Sequence, residues 1–497
     1  MADHPAPDLL APDLLAPDLL ASASSGEVVA LARGYEEARA AADLLFAIAP
    51  RTLAEAVEDV RSGEVTSTSL VREAFRRADQ VDERLHALKS RLTDQAKRAA
   101  AAVTFGDDLG PLGGVPIAVK DILKIADGHT TAGSAILDWP PDGTDAVVVE
   151  RLRNAGAVIL ATTTTMEFAI GPPDGKRAPI TRNPWNLSRF SGGSSCGSAA
   201  AVAAGIVPAA LGTDTAGSIR APAAYCGITG LKPTYGLVPR SGCVPLSPSL
   251  DTIGPMARSA LDCALLLEVI AAEPVAHHLD GDLTGLTIGV DRLFRVAGEQ
   301  EDPALPSVLH DAVEVLRSRG AHVVDVELPY YDELAIALTV VLHYEAFAYH
   351  QADLRRRWHD YGATTRLALA CGSRYTEADY AQAQRVRRFG RRAVARIFDE
   401  VDVVLTPTSV EGAISLRFLE ELDPTQGLGT AYTPYWSALG NPAASMPSGF
   451  TADGMPLGLQ VAGRPSGDGV VLKVVDAFQR ATDWHLRVPQ AADHRGA

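Results

Sequence analysis

Three places in this chain of 497 amino acids carry residue types that could do chemistry: a lysine inside an apolar run and the serines of two Gly/Ser-rich turns. Lys120 interrupts the apolar run GVPIAVKDIL, residues 114–123. Ser191–Ser198 is one Gly/Ser-rich turn and Gly212–Arg220 a second. The two turns bracket an Ala-rich helical segment. Glycine costs about 0.5–1 kcal/mol relative to alanine inside regular structure, so paired glycine turns suggest main chain brought close to a reacting group. Burial of a lysine favours its neutral amine, with shifts of about 3–5 units on full burial, and a neutral amine is a base near physiological pH. The competing reading of Lys120 is a lysine snorkelling from a strand end.

The first turn is open to three readings: a flexible loop, an anion-binding turn at a helix N-terminus, or a catalytic turn. Neither a GxxxxGK[ST] loop nor a GxGxxG fingerprint is present. Gly193–Gly197 formally matches a G-x-S-x-G elbow centred on Ser195, but such an elbow follows a strand, and Asn183–Leu187 reads as turn. None of the 12 histidines stands out as its partner. In the second turn, the N–H groups of Thr215, Ala216, Gly217 and Ser218 are consecutive and able to converge on one oxygen, as an oxyanion hole requires. Asp214 and Arg220 flank them with opposite charge and are expected to brace the turn as an ion pair.

The elements that hold these residues alternate helix and strand. Thr52 and Glu55 form a capping-box pattern opening a helix to about Arg61. Asp145–Asn154 reads as a helix stopped at Gly156, with Val158–Leu160 as a buried strand. Leu286–Val290, a helix over 306–319 and Val323–Leu328 make a strand–helix–strand unit. Val401–Leu405 and Leu457–Val461 are further strands, and Val470–Thr482 is a terminal helix. This alternation predicts an α/β fold with a large, mixed and mostly parallel sheet covered by helices on both faces. Residues 1–26, with APDLL three times over, read as a disordered extension. Residues 27–50 read as a helical extension that packs on the body or on a second copy of the chain, leaving a homodimer open. Residues 51–490 form one domain, and 491–497 a tail.

Composition narrows the partners. The chain is 47% hydrophobic and 21% charged, ordinary for a globular protein. Its formal charge of −16 argues against nucleic-acid or anionic-membrane surfaces, which need clustered positive charge. The arginines at 355–357 and at 385, 387, 388, 391 and 392 read as solvated helix faces or ion-pair partners. Cys196, Cys226, Cys243, Cys263 and Cys371 are odd in number and form no C-x-x-C pair, so neither a zinc site nor a disulfide framework is expected. No metal or other cofactor is expected. No secretory leader pattern or membrane-length apolar stretch is seen, so a cytoplasmic setting is expected.

The block from 191 to 236, with RNPWN (182–186), MEFAIG (166–171), GLKPTYG (230–236) and GMPLGLQVAG (454–463), resembles the amidase signature family, serine hydrolases that cleave amide carbon–nitrogen bonds. The likeness runs in weaker form from about residue 50 to residue 490. It implies a Ser–Ser–Lys triad with Ser218 as nucleophile, Ser194 as a middle serine on a cis peptide, and Lys120 as base. Ser195 then supports the network. The separations, 24 residues from Ser194 to Ser218 and 74 from Lys120 to Ser194, suit that assignment. Ala216 departs from the family pattern where glycine is commonest, implying a backbone there that tolerates a Cβ. Cys196 replaces a usual glycine or serine and invites a thiol reading that no paired histidine supports. Lys232 is a rival lysine.

The resemblance implies a stand-alone amidase acting on a small-molecule amide, with the glutaminase component of a tRNA-dependent amidotransferase as the alternative. A catalytically silent binding or scaffold protein is the alternative of another class. Aromatic segments at Trp139, His343–His350 and Tyr432–Trp436 are candidates for a substrate pocket or for core.

Overall fold

Thr52 accepts a hydrogen bond from the Glu55 N–H at 3.2 Å, and its own N–H donates to Glu55 Oε2 at 2.8 Å. The reciprocal cap opens the helix Leu53–Ser62, which stops at Gly63 in the left-handed conformation. This is the start of the body of the computed structural model, which describes residues 50–103, 109–173, 175, 178–297, 301–421 and 431–489. The expectations for 1–26, for 27–50 apart from Pro50, and for 491–497 lie outside the described residues.

Eleven strands form one sheet. They are β1 (Leu88–Arg91), β2 (Pro116–Lys120), β3 (Val158–Thr163), β6 (Ala209–Asp214), β7 (Thr229–Lys232), β8 (Thr252–Ala257), β9 (Thr287–Val290), β10 (His322–Asp325), β11 (Val403–Pro407), β12 (Ala443–Phe450) and β13 (Pro456–Gly463). Two more, β4 (Arg182–Asn183) and β5 (Asn186–Phe190), pair with each other. The order across the large sheet is β1-β3-β2-β6-β8-β7-β12-β13-β11-β9-β10. Every residue of β2, β3, β6, β7, β8, β11 and β13 is buried. A strand buried at every position needs cover on both faces, and helices supply it. Within this sheet only the edge strands β1 and β10 carry exposed residues.

The α/β class and the mixed sheet agree with the sequence. Parallel pairing is found in two groups, β3-β2-β6 and β11-β9-β10. Between them the sheet is antiparallel from β6 through β8, β7, β12 and β13 to β11. The unit around β9 follows the expected pattern, with its helix at Leu305–Ser318. Its second strand ends at Asp325 rather than Leu328, whose N–H donates to the Asp291 carboxylate at 2.8 Å instead of to a strand.

Of the segment Asn183–Leu187, read as turn, only Pro184–Trp185 is the connection of the β4–β5 hairpin and the rest lies in its strands, so a strand does lead into the first Gly/Ser turn. The Ala-rich segment after that turn is the helix Cys196–Ala203. Its second residue explains itself: a Cβ on Gly197 would lie 2.2 Å from the Ala87 carbonyl oxygen and 2.4 Å from the Thr164 nitrogen. The helix packs directly on the backbone of the β3 end. Among the described residues, no helix is long and apolar enough to cross a membrane.

Candidate active site

Parallel pairing brings the first two groups of the site together. β2 runs beside β6 with Ala118 opposite Ala210 and Val119 opposite Leu211, so both strands end at the same edge of the sheet. Lys120 closes β2 and Thr213 lies near the end of β6. Lys120 Nζ is 2.8 Å from Thr213 Oγ1 and 2.8 Å from Ser194 Oγ. Lys120 is 0% exposed, as are Ile117, Ala118 and Val119 before it. Burial lowers its pKa to about 8, against the opposing pull of Cys196, Cys243, Asp214 and Asp251. The snorkelling reading of Lys120 is therefore set aside.

Ser194 is buried, and the Gly193–Ser194 peptide is cis. Its carbonyl accepts from Thr165 Oγ1 at 3.1 Å and from the Met166 N–H at 3.3 Å, which is how the MEFAIG segment holds the first turn. Gly193 leaves no room for a side chain, since a Cβ there would lie 2.2 Å from Met166 Sδ. Ser195 has a different occupation. Its Oγ donates to the Thr213 carbonyl at 3.1 Å and accepts the Thr213 N–H at 3.2 Å. A hydroxyl committed to both backbone groups of one residue is no elbow nucleophile. The Ser195 N–H donates to the Ser218 carbonyl at 3.2 Å, tying the two turns together.

The second turn is organised around Asp214. Its carboxylate receives Arg220 in a two-pronged pair, Nε to Oδ2 and Nη2 to Oδ1, both at 3.0 Å. Both residues are 0% exposed. Burial works against a charged Asp214, yet Arg220 holds it below the usual carboxylate range. Ser437 Oγ accepts from Arg220 Nη2 at 2.6 Å, and Gln460 Oε1 accepts from Nη1 at 3.1 Å. The expected brace is present, with more partners than the sequence suggested.

Asp214 also takes two N–H groups of the turn, that of Gly217 at 2.8 Å and that of Ile219 at 3.3 Å. The Gly217 N–H is thus engaged, which corrects its expected place among the oxyanion donors. No described residue accepts from the N–H groups of Thr215, Ala216 or Ser218. Thr215 is anchored by its side chain, whose Oγ1 donates to Asp251 Oδ1 at 2.6 Å. Asp251 also accepts the N–H groups of Leu246 and Ser247, and burial pushes its pKa up to about 6. The left-handed backbone falls on Gly217, at φ 134°, while Ala216 has no positive φ. Alanine is therefore tolerated where the sequence suggested it had to be.

Ser218 is half-buried, the one member of the expected triad that meets solvent. No hydrogen bond joins its Oγ to Ser194 Oγ, whereas the Lys120–Ser194 contact is formed. Catalytic hydrogen bonds are often completed only with substrate bound. Lys232 faces elsewhere: its Nζ donates to the Pro233 carbonyl at 2.9 Å, and burial with the nearby Arg220 lowers its pKa to about 7. Cys196 Sγ donates to the Thr164 carbonyl at 3.3 Å and burial raises its pKa, so a thiolate nucleophile is disfavoured. Of the aromatic segments, His350, Tyr432, Tyr435 and Trp436 are core residues at 4% exposure or less, while Trp139 and His343 are half-buried.

Thr213, Asp251, Thr433 and Ser437 were not singled out in the sequence. Thr213 had a signal, since alternation along β6 sends it to the opposite face from Asp214 and Gly212. The others reach the site only through tertiary packing.

The family model described as Amidase matches residues 69–472. The A component of a glutamyl-tRNA(Gln) amidotransferase from Roseiflexus castenholzii is 39% identical over 488 residues, covering 90% of this chain and 99% of that protein. A crystal structure of an amidase superposes with a TM-score of 0.79 at 33% identity, covering 86% of this chain and 99% of that one. A peptide amidase in complex with the competitive inhibitor chymostatin gives 0.77 at 31%, covering 88% and 98%.

Proposed function

The chain belongs to the amidase family, the amidase signature enzymes, and is a hydrolase acting on carbon–nitrogen bonds; we propose that it does so through a seryl acyl-enzyme on Ser218, with Ser194 and Lys120 as its proton relay. The buried contact of 2.8 Å between Lys120 Nζ and Ser194 Oγ carries this reading. A serine hydroxyl is a poor nucleophile until an adjacent base takes its proton. As Ser218 Oγ attacks the amide carbonyl, its proton passes to Ser194 Oγ, and the Ser194 proton passes to neutral Lys120. Negative charge develops on the carbonyl oxygen, where the N–H groups of Thr215, Ala216 and Ser218 stabilise it. The relay then runs backward: Lys120 reprotonates Ser194, which protonates the departing nitrogen so that the carbon–nitrogen bond breaks. Water attacks the ester with its proton taken up by the same relay, the bond from the acyl carbon to Ser218 Oγ breaks as the relay returns that proton to Oγ, and the acid is released and ionises to the carboxylate. None of these steps calls on a metal or cofactor.

Two settings suit this chemistry. The relatives named as the A component of glutamyl-tRNA(Gln) amidotransferase, at 38–39% identity over nearly their whole length, favour the side-chain amide of glutamine as substrate. Ammonia would then pass to partner proteins in the cytoplasm. The solved amidases, at 33% and 31% identity, support a stand-alone enzyme releasing ammonia or an amine. Hydrolysis assays with the purified full chain separate the two, using L-glutamine and a library of simple amides, with Ser218→Ala as the blank. Turnover of L-glutamine that rises when the other amidotransferase components are added supports the amidotransferase reading. Fast turnover of other amides, indifferent to those components, supports the stand-alone enzyme. If Ser218→Ala turns over as fast as the native chain, the proposed nucleophile is wrong.

A further inference from the structure

The peptide between Ala216 and Gly217 is held at both ends by side chains. Its N–H donates to Asp214 Oδ1 at 2.8 Å, and its carbonyl accepts from Thr433 Oγ1 at 2.7 Å. Thr433 is 0% exposed and 217 residues further along the chain. It packs so closely on the turn that a Cβ on Gly217 would lie 1.9 Å from Thr433 Oγ1. The helix that follows, Pro434–Leu439, touches the same turn one helical turn later, where Ser437 Oγ meets Arg220 and Asp214. Thr433 and Ser437 thus form one face against the cradle.

A peptide plane held at its N–H and its C=O is restrained against rotation, which leaves only the φ and ψ of Ala216 and Gly217 to set the two flanking peptides. Those peptides carry the N–H groups of Ala216 and Ser218, which no described residue accepts from. Donors that stabilise a developing oxyanion work because they are already aimed before charge appears. We infer that Thr433 is the positioning residue of the oxyanion cradle: its hydroxyl, opposite Asp214, locks the Ala216–Gly217 peptide so that the N–H groups of Ala216 and Ser218 point at the reacting carbonyl oxygen. This inference rests on the reading of Ser218 as the nucleophile. Thr433 touches no reacting atom itself.

The test replaces the hydroxyl with a methyl of nearly the same size. Thr433→Val, Thr433→Ala and Thr433→Ser are compared with the native chain for amide hydrolysis and for the rate of labelling by a fluorophosphonate probe. Thermal unfolding of each protein is followed alongside. Loss of cradle alignment predicts that kcat falls about tenfold or more in the Val variant, with KM nearly unchanged and slower labelling. The Ser variant, which keeps the hydrogen bond, retains most activity. The pH midpoint stays where Lys120 sets it, since the base is untouched, whereas general disruption of the site would move it. If Thr433→Val does not fold, the contrast of Ala with Ser carries the same test. Native rates in a folded Val or Ala variant overturn the inference, as does a Ser variant no better than Ala. Those failures are distinct from that of the nucleophile, which shows as Ser218→Ala still hydrolysing amides or taking the probe.

Discussion

Lys120 Nζ and Ser194 Oγ stand 2.8 Å apart, with 0% and 1% of their residues' surfaces exposed. This burial sets the pH at which the relay can work. Its largest effect on Lys120 is to penalise the ammonium, lowering the pKa to about 8. The neutral amine is the competent form, so its fraction grows as pH rises through about 8. Below that value kcat/KM climbs with a slope approaching tenfold per pH unit, and above it the rate levels off. A pH–rate profile of the native chain checks this. Lys120→Arg stays charged across the range and is expected to be inactive at every pH.

Removal of the relay members follows a related logic. Ser218→Ala removes the group that attacks and abolishes turnover and fluorophosphonate labelling. Ser194→Ala interrupts proton transfer and is expected to cost about 10²–10⁴-fold in kcat. Lys120→Ala costs on the order of 10³-fold or more, because members of one catalytic unit fail together. The double variant Lys120→Ala/Ser194→Ala should be hardly slower than the worse single one. Steady-state kinetics of the three proteins test this non-additivity.

Asp214 and Arg220 predict a stability effect in addition to the part Asp214 plays in holding the cradle. Asp214→Ala leaves a fully buried guanidinium without its carboxylate and strips the Gly217 and Ile219 N–H groups of their acceptor. Breaking a buried ion pair at one partner costs about 3–5 kcal/mol. Denaturant unfolding should show a loss of that order, or no soluble protein. Asp214→Asn keeps the shape and one acceptor oxygen and should lose less.

The same two residues show what the sequence could reveal. Their pairing was legible because they flank one short turn with opposite charge, and the cap at Thr52 was legible because its partner is three residues away. Local signals of this kind also placed Gly156, whose φ is 88°, and the helices at Val147–Asn154 and Asp468–Arg480. The triad itself came from motif likeness, since spacing alone left the Gly/Ser turns open to three readings. Contacts made across the sheet were not legible. Thr433 lies 217 residues from Ala216, and Ser437 lies 223 from Asp214. Nothing in the composition of PYWSAL announces that one face of it closes over a turn. The antiparallel middle of the sheet escaped for a similar reason: alternating helices and strands suggest parallel units, but strand neighbours such as β7 and β12 are set by long-range packing. Among the oxyanion donors, Gly217 was misread because its N–H is taken by a side chain, which backbone pattern cannot foresee.

The contrast between Ala216 and Gly217 gives a final prediction, because the two residues look interchangeable in sequence and are opposite in structure. Gly217 adopts φ 134° and leaves no space, with Thr433 Oγ1 only 1.9 Å from where a Cβ would stand. Gly217→Ala must therefore either displace Thr433 or rotate the peptide, and both move the N–H groups of Ala216 and Ser218. Ala216 has no positive φ and is half-buried, so Ala216→Gly removes only a methyl group and adds backbone freedom worth at most about 1 kcal/mol. Gly217→Ala is expected to lose at least about 10²-fold in kcat, as when an oxyanion donor is removed. Ala216→Gly should stay within a few-fold of the native rate. Equal rates in the two variants would mean that the cradle is softer than its two clamps require.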